Sequence, residues 1–238
     1  MFHKTFHKFP LAVLLLSLIV TACTNSNTTS TKSEKEAPTA DAPTIGKPDN
    51  FDYGKVENNV YRNSYFKCTM NIPKGWVIRD RKASKKLHEK VEEEIVRGNE
   101  SLKEDIAASD INSADLLGIS KFDFETPSVS NPNIMMIAEN ISANPSVKTA
   151  KDYLISAKTI MQQTQVDFEF LNEPKEEFIN GKSFHMMNVI MHTGTADVHQ
   201  RYYVTISKGF AFGIIEAYMN TDEDAFMHDY IYSLKFDQ

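Results

Sequence analysis

The sequence predicts an α+β fold in which an antiparallel β-sheet is flanked by helices as an α-β-α sandwich. Three observations predict it. Segments after Phe51 alternate apolar and polar residues or are apolar throughout; glycine turns such as Asn180-Gly181 and Lys208-Gly209 join neighbouring segments; and helical periodicity is confined to blocks between and after the strands.

Taken in order, Asn63 to Pro73 sets Phe66, Cys68, Met70 and Ile72 on one face and Tyr65, Lys67, Thr69 and Asn71 on the other, the period of a half-buried strand. Pro73-Lys74-Gly75 turns the chain, and Trp76-Val77-Ile78 follows as a short strand with its indole expected in the core. From Arg81 to Ser109, Ala83, Leu87, Val91, Ile95, Leu102 and Ile106 recur at helical spacing, so residues 81–111 are expected to be helical, as one amphipathic helix or as two broken at Gly98-Asn99. Leu116 to Phe124 and Ile134 to Ile141 are strands around a loop with Pro127, Asn131 and Pro132. Thr149 with Asp152 caps a helix whose stripe is Tyr153, Leu154, Ala157, Ile160 and Met161.

Phe168 to Leu171 and Glu177 to Ile179 are extended, and Asn180-Gly181 carries the strongest hairpin signal, leading into a strand from Ser183 to Met191. Gly194 to Asp197 turns again, and Val198 to Ser207 and Phe210 to Met219 complete a meander, apolar on both faces as in a covered sheet. Thr221 with Asp224 resembles a capping box for a closing helix with Phe226, Met227, Tyr230, Ile231 and Leu234 buried.

Ahead of this lies a different kind of chain. His3, Lys4, His7 and Lys8 precede the apolar run Leu11 to Val20, which is too short for the roughly 20 residues of a transmembrane helix and has the form of a secretory leader. Val20-Thr21-Ala22-Cys23 then resembles the lipobox of bacterial lipoproteins. That resemblance implies cleavage after residue 22, acyl chains on Cys23 and a hold on the membrane through lipid. With Thr24 rather than Asp after the cysteine, it implies the periplasmic face of the outer membrane in a Gram-negative cell, and the outer face of the cell membrane in a Gram-positive one. Residues 23–50 are rich in Thr, Ser, Asn, Pro and Ala, with Ile45 the only large aliphatic; this tether reaches an average of about 30 Å as a random coil. Residues 51–238 are expected to form a single domain.

Loss of Lys4 and Lys8 with the leader takes the net charge from −6 to −8, which argues against nucleic acid as a partner and against a basic patch for anionic lipid. With Cys23 lipidated, Cys68 has no partner in the chain, and its phase with Phe66, Met70 and Ile72 makes it a buried, inert thiol.

The segments Tyr61-Arg62-Asn63-Ser64-Tyr65-Phe66 and Ile72-Pro73-Lys74-Gly75-Trp76, with the closing Ser233-Leu234-Lys235-Phe236, are similar to bacterial envelope proteins of PsbP-like fold, including the DcrB-type lipoproteins. The resemblance implies a non-enzymatic domain that binds a protein partner or an envelope component. Set against it, the 81–111 segment is longer than a minimal version of that fold needs, which implies an insertion.

Catalytic signatures are missing: no GxSxG elbow, SxxK pair, GxGxxG, P-loop or EF-hand loop occurs, and no cofactor is implied. His88-Glu89-Lys90-Val91-Glu92 departs from the zinc pattern HExxH at Glu92 and reads as a solvated acidic face. His192 and His199 flank the turn at Gly194; if residues 193 and 198 pair, the imidazoles face each other with Asp197 as a third group, a weak candidate metal site against the commoner reading of polar surface. His185 is not clearly part of it. A carrier of a small apolar ligand is the remaining alternative, hinted at only by the Met and Phe content.

Overall fold

A computed structural model describes residues 46–79, 112–123, 130–142 and 144–237. The leader, the lipobox at Val20 to Cys23, most of the tether, and the 81–111 segment with His88 lie outside the described residues.

Twelve strands and two helices are described. They are β1 (Lys55–Glu57), β2 (Val60–Asn63), β3 (Cys68–Asn71), β4 (Val77–Arg79), β5 (Ser113–Ser120), β6 (Asn133–Asn140), α1 (Ala150–Met161), β7 (Asp167–Phe170), β8 (Lys175–Ile179), β9 (Lys182–His192), β10 (Asp197–Ser207), β11 (Phe210–Tyr218), α2 (Thr221–Ile231) and β12 (Lys235–Phe236). An eight-stranded sheet runs β4-β5-β6-β11-β10-β9-β7, with β8 also on β9, and a four-stranded sheet runs β1-β2-β3-β12. The strand pairings within both sheets are antiparallel.

The α+β class and the antiparallel sheet stand, but the α-β-α sandwich is corrected. Helix α1 packs on one face of the large sheet, against Met187, Val189, Val198, Tyr202 and Ile215. The other face is covered by a second sheet together with α2, through Tyr61, Cys68, Met70, Met227 and Ile231. One 11-residue helix is too narrow to cover so broad an apolar face alone.

The predicted strand from Asn63 to Pro73 is shortened to β3, Cys68–Asn71, with Asn63 instead ending β2. The Asn63 side chain accepts a hydrogen bond from the Phe66 N–H at 2.8 Å, and Lys67 takes φ +52°, so the chain turns over Ser64–Lys67. Phe66, Cys68, Met70 and Ile72 are buried as the alternation demands. Cys68 is a free, buried thiol, and burial pushes its pKa up to about 12.

Local signals held elsewhere. Asn180-Gly181 and Lys208-Gly209 both place two successive residues at positive φ, the turn that matches the twist of a tight hairpin. Thr149 and Asp152 form a reciprocal capping box, and the expected stripe of α1 is buried. For α2 the cap is displaced by one residue: Asn220, not Thr221, accepts from the Glu223 N–H, because an amide side chain caps as well as a hydroxyl.

Each face also carries one buried acid. Glu139 on β6 is 0% exposed and accepts a 2.6 Å hydrogen bond from Tyr153 of α1. Replacing Tyr153 by Phe is expected to lower unfolding stability by about 1–3 kcal/mol in chemical denaturation, with the helix content of the folded state unchanged.

Candidate functional site

On the face that meets α2 and the small sheet, β11 starts apolar at Phe210, Phe212 and Ile214 and ends polar at Glu216 and Tyr218. Polar and aromatic groups therefore gather where β4 and β6 begin and where β5 and β11 end.

Three clusters occupy this region. The innermost centres on Arg201 of β10, in register with Glu216. Its guanidinium donates to Glu216 Oε2 at 3.0 Å, to Asp224 Oδ1 of α2 at 2.6 Å and to Tyr218 Oη at 3.1 Å. Burial pushes Glu216 up to about 8, against the pull of Arg201. Because one arginine bridges sheet and helix, this cluster fixes where α2 lies. It is a positioning device, and nothing in the sequence pattern marked it.

The second cluster holds the candidate metal ligands. The register corrects the expected pairing: His192 lies opposite Asp197 and His199 opposite Ile190, two residues out of the register in which 193 and 198 pair and 192 faces 199. The cause is the four-residue loop Thr193–Ala196, closed by a 3.1 Å hydrogen bond from Thr193 N–H to the Ala196 carbonyl and a 2.8 Å bond from its hydroxyl to the same oxygen. His192 Nδ1 donates to Asp197 at 2.7 Å, and its Nε2 lies 3.6 Å from Glu169. His199 instead stacks on Tyr218, with ring centroids 5.5 Å apart and planes at 10°. His185 falls on the opposite sheet face by alternation along β9. Among the described residues no group of three His, Cys, Asp or Glu side chains converges as a metal site.

The third cluster is a groove of about 360 Å³. Trp76 and Phe226, which stack on each other, line it together with Lys121, Pro132 and, from the start of α2, Asn220, Asp222 and Glu223. Trp76 is only half-buried, and the expected core indole is instead the groove wall. It stacks on Phe226 (5.5 Å, 27°) and on Tyr230 (6.4 Å, 26°), while Phe226 and Tyr230 lie 5.7 Å apart at 6°. Phe226, expected in the buried stripe, is 43% exposed, since only Met227 and Ile231 of α2 are fully buried.

The remaining groove walls are pinned. Asn131 accepts from the Phe122 N–H and donates to the Phe122 carbonyl, and the Glu223 carboxylate takes the Ser130 hydroxyl and the Met219 N–H. A second hollow, about 420 Å³ beside Lys55, Arg62 and Asp237, has no aromatic wall, and its Asp52 is already engaged by Gly54 and Ser64.

No family model and no curated protein matches the chain. Among solved structures it is similar to the cyanobacterial PsbP (CyanoP) of Synechocystis, at 13% identity over 81% of this chain and 99% of that one, with a TM-score of 0.45. It is also similar to LpqN of Mycobacterium tuberculosis, described as involved in cell envelope biogenesis, at 10% identity over 72% of this chain and 83% of that one, with a TM-score of 0.39. At these values the likenesses add nothing to what sheet order and packing already show.

Two outcomes follow from the first two clusters. Arg201→Leu leaves Glu216 buried without its counter-charge and is expected to cost about 3–5 kcal/mol, much of it regained in the Arg201→Leu/Glu216→Leu double variant; denaturation of the three proteins measures both. The hydrogen bond to Asp197 holds the His192 pKa above its ordinary value. A raised histidine stabilises the fold below the unfolded pKa, about 6.5, and that contribution is lost as pH rises through the folded value. Imidazole NMR titration should place His192 above a free histidine, and Asp197→Asn should bring it down.

Proposed function

We propose that the chain is a non-catalytic lipoprotein of a bacterial envelope, held on the membrane by acyl chains on Cys23 and binding a protein partner or envelope component through a PsbP-like domain formed by residues 51–238. The observation that carries this reading is where the tether joins the fold. Asn140, the last residue of β6, donates its amide to the Gly46 carbonyl at 3.0 Å. The groove beside Pro132 lies at the other end of the same strand. The eight residues of β6 span about 23 Å at about 3.3 Å each, so tether and groove occupy opposite ends of the large sheet.

A tether at one end and a half-exposed aromatic groove at the other suit a domain that is anchored from below and reaches outward. The acidic net charge supports lipid, rather than a basic surface, as the hold on the membrane. No described helix is long and apolar enough to cross a membrane. The Met and Phe content behind the alternative of an apolar-ligand carrier sits in the core, in Met135, Met136, Met187, Phe184, Phe210 and Phe212 among others.

Cys23→Ala is expected to shift the protein from the membrane pellet to the soluble fraction on cell fractionation; a variant that still sediments overturns the anchor. A photoreactive residue at Phe226 is expected to form specific adducts in intact cells, and one at Ile155, which is exposed on α1, is not.

A further inference from the structure

We propose that the groove at the start of α2 is a subsite for a neutral, hydroxyl-rich sugar unit of an envelope glycan. This rests on the reading that the groove end of the domain makes the binding contact, and it names the chemistry of what is bound there.

The aromatic wall comes first. Trp76, Phe226 and Tyr230 are within 27° of parallel in every pairing, and Phe226 stays 43% exposed. Trp76 and Tyr230 are half-buried against the core and hold Phe226 by stacking, so the exposed part of this aromatic group is an apolar surface with a polarised π-face. The C–H face of a pyranose ring complements such a surface, because its weakly positive hydrogens meet the negative ring face while its hydroxyls point sideways to the rim.

The rim discriminates next. Lys121 Nζ and the Asp222 carboxylate line the groove with no hydrogen-bond or ion-pair partner among the described residues, one a donor and the other an acceptor. Opposite charges on one rim disfavour an anionic ligand at Asp222 and a cationic one at Lys121. A hydroxyl donates and accepts at once, so a neutral polyol satisfies both. Lys121 also lies 5.4 Å from the Phe122 ring, which keeps its ammonium group at this edge.

Preorganisation and size agree. Asn131 holds both backbone groups of Phe122, and Glu223 is occupied by Ser130 and Met219, so binding need not order the groove walls. A volume of about 360 Å³ is at the small end of the range for ligand sites, about 300–1,000 Å³, and suits ring-sized units. The groove also lies at the sheet end opposite Gly46.

The chain reports on its own site, because Trp76 is the only tryptophan. The test is a titration of the full-length protein, in a detergent without a sugar headgroup, with the glucose tetramer and the N-acetylglucosamine tetramer, followed by tryptophan emission. At least one is expected to give a saturable change with a millimolar dissociation constant. Phe226→Ala is expected to weaken it about tenfold or more, with the far-UV circular dichroism of the folded state unchanged. No saturable change with either glycan, or one that Phe226→Ala leaves intact, overturns the proposal. Protein adducts from the photoreactive residue at Phe226 without a sugar response would overturn the sugar alone and leave the groove as the contact; absence of both would overturn both.

Discussion

The large sheet cannot be left uncovered on either side. All eight residues of β6 are buried, as are eight of the nine in β11 and seven of the eleven in β10, with apolar side chains on both faces. Exposing either face would forfeit about 25 cal/mol for each Å² of apolar surface, so each needs a cover. Helix α1 supplies one. The other is built from chain far apart in sequence: the β1-β2-β3 meander from the start of the described fold, and α2 with β12 from its end. That division explains why the described fold is dominated by sheets rather than flanked evenly by helices.

Covers held only by apolar contact can slide, and each face carries a buried acid that prevents it. Glu139 meets Tyr153 of α1, and Glu216 meets Arg201, which in turn reaches Asp224 of α2. The energetic worth of such pairs is modest because desolvation offsets attraction. Their consequence here is positional. With α2 fixed, its first turn lies against the starts of β4 and β6, and Phe226 and Tyr230 are left over the edge of the sheet, where Trp76 meets them. The groove is thus a by-product of where the second cover stops, at the end of the sheet farthest from Gly46.

Much of this was legible in the residues because the signals were local. Asn180-Gly181 and Lys208-Gly209 specify hairpins through their own backbone geometry, and Thr149 with Asp152 specifies a helix start through two hydrogen bonds within one turn. What could not be read depended on choices between near-equal local states or on distant chain. The apolar spacing over Asn63 to Pro73 hides a tight turn, because Phe66 is buried from within the turn, beside Tyr65, while Cys68 is buried from the strand after it. The loop after His192 could close at 192–197 or at 193–198, and the bonds from Thr193 to the Ala196 carbonyl decide it. The groove was illegible for a stronger reason: Trp76 and Phe226 are 150 positions apart, and the Arg201 bridge that brings them together has no periodic signature. Trp76 looked like a core residue because a lone tryptophan after a turn usually is one.

The central claim is that one end of the sheet is tied towards the membrane and the aromatic groove faces away from it. Trp76, the sole tryptophan, tests this directly when the lipidated full-length protein is reconstituted in liposomes and its emission is challenged with a water-soluble quencher and with brominated lipids. The proposed orientation predicts quenching by the soluble agent and none by the lipids. Quenching by brominated lipids would put the groove against the bilayer and contradict it.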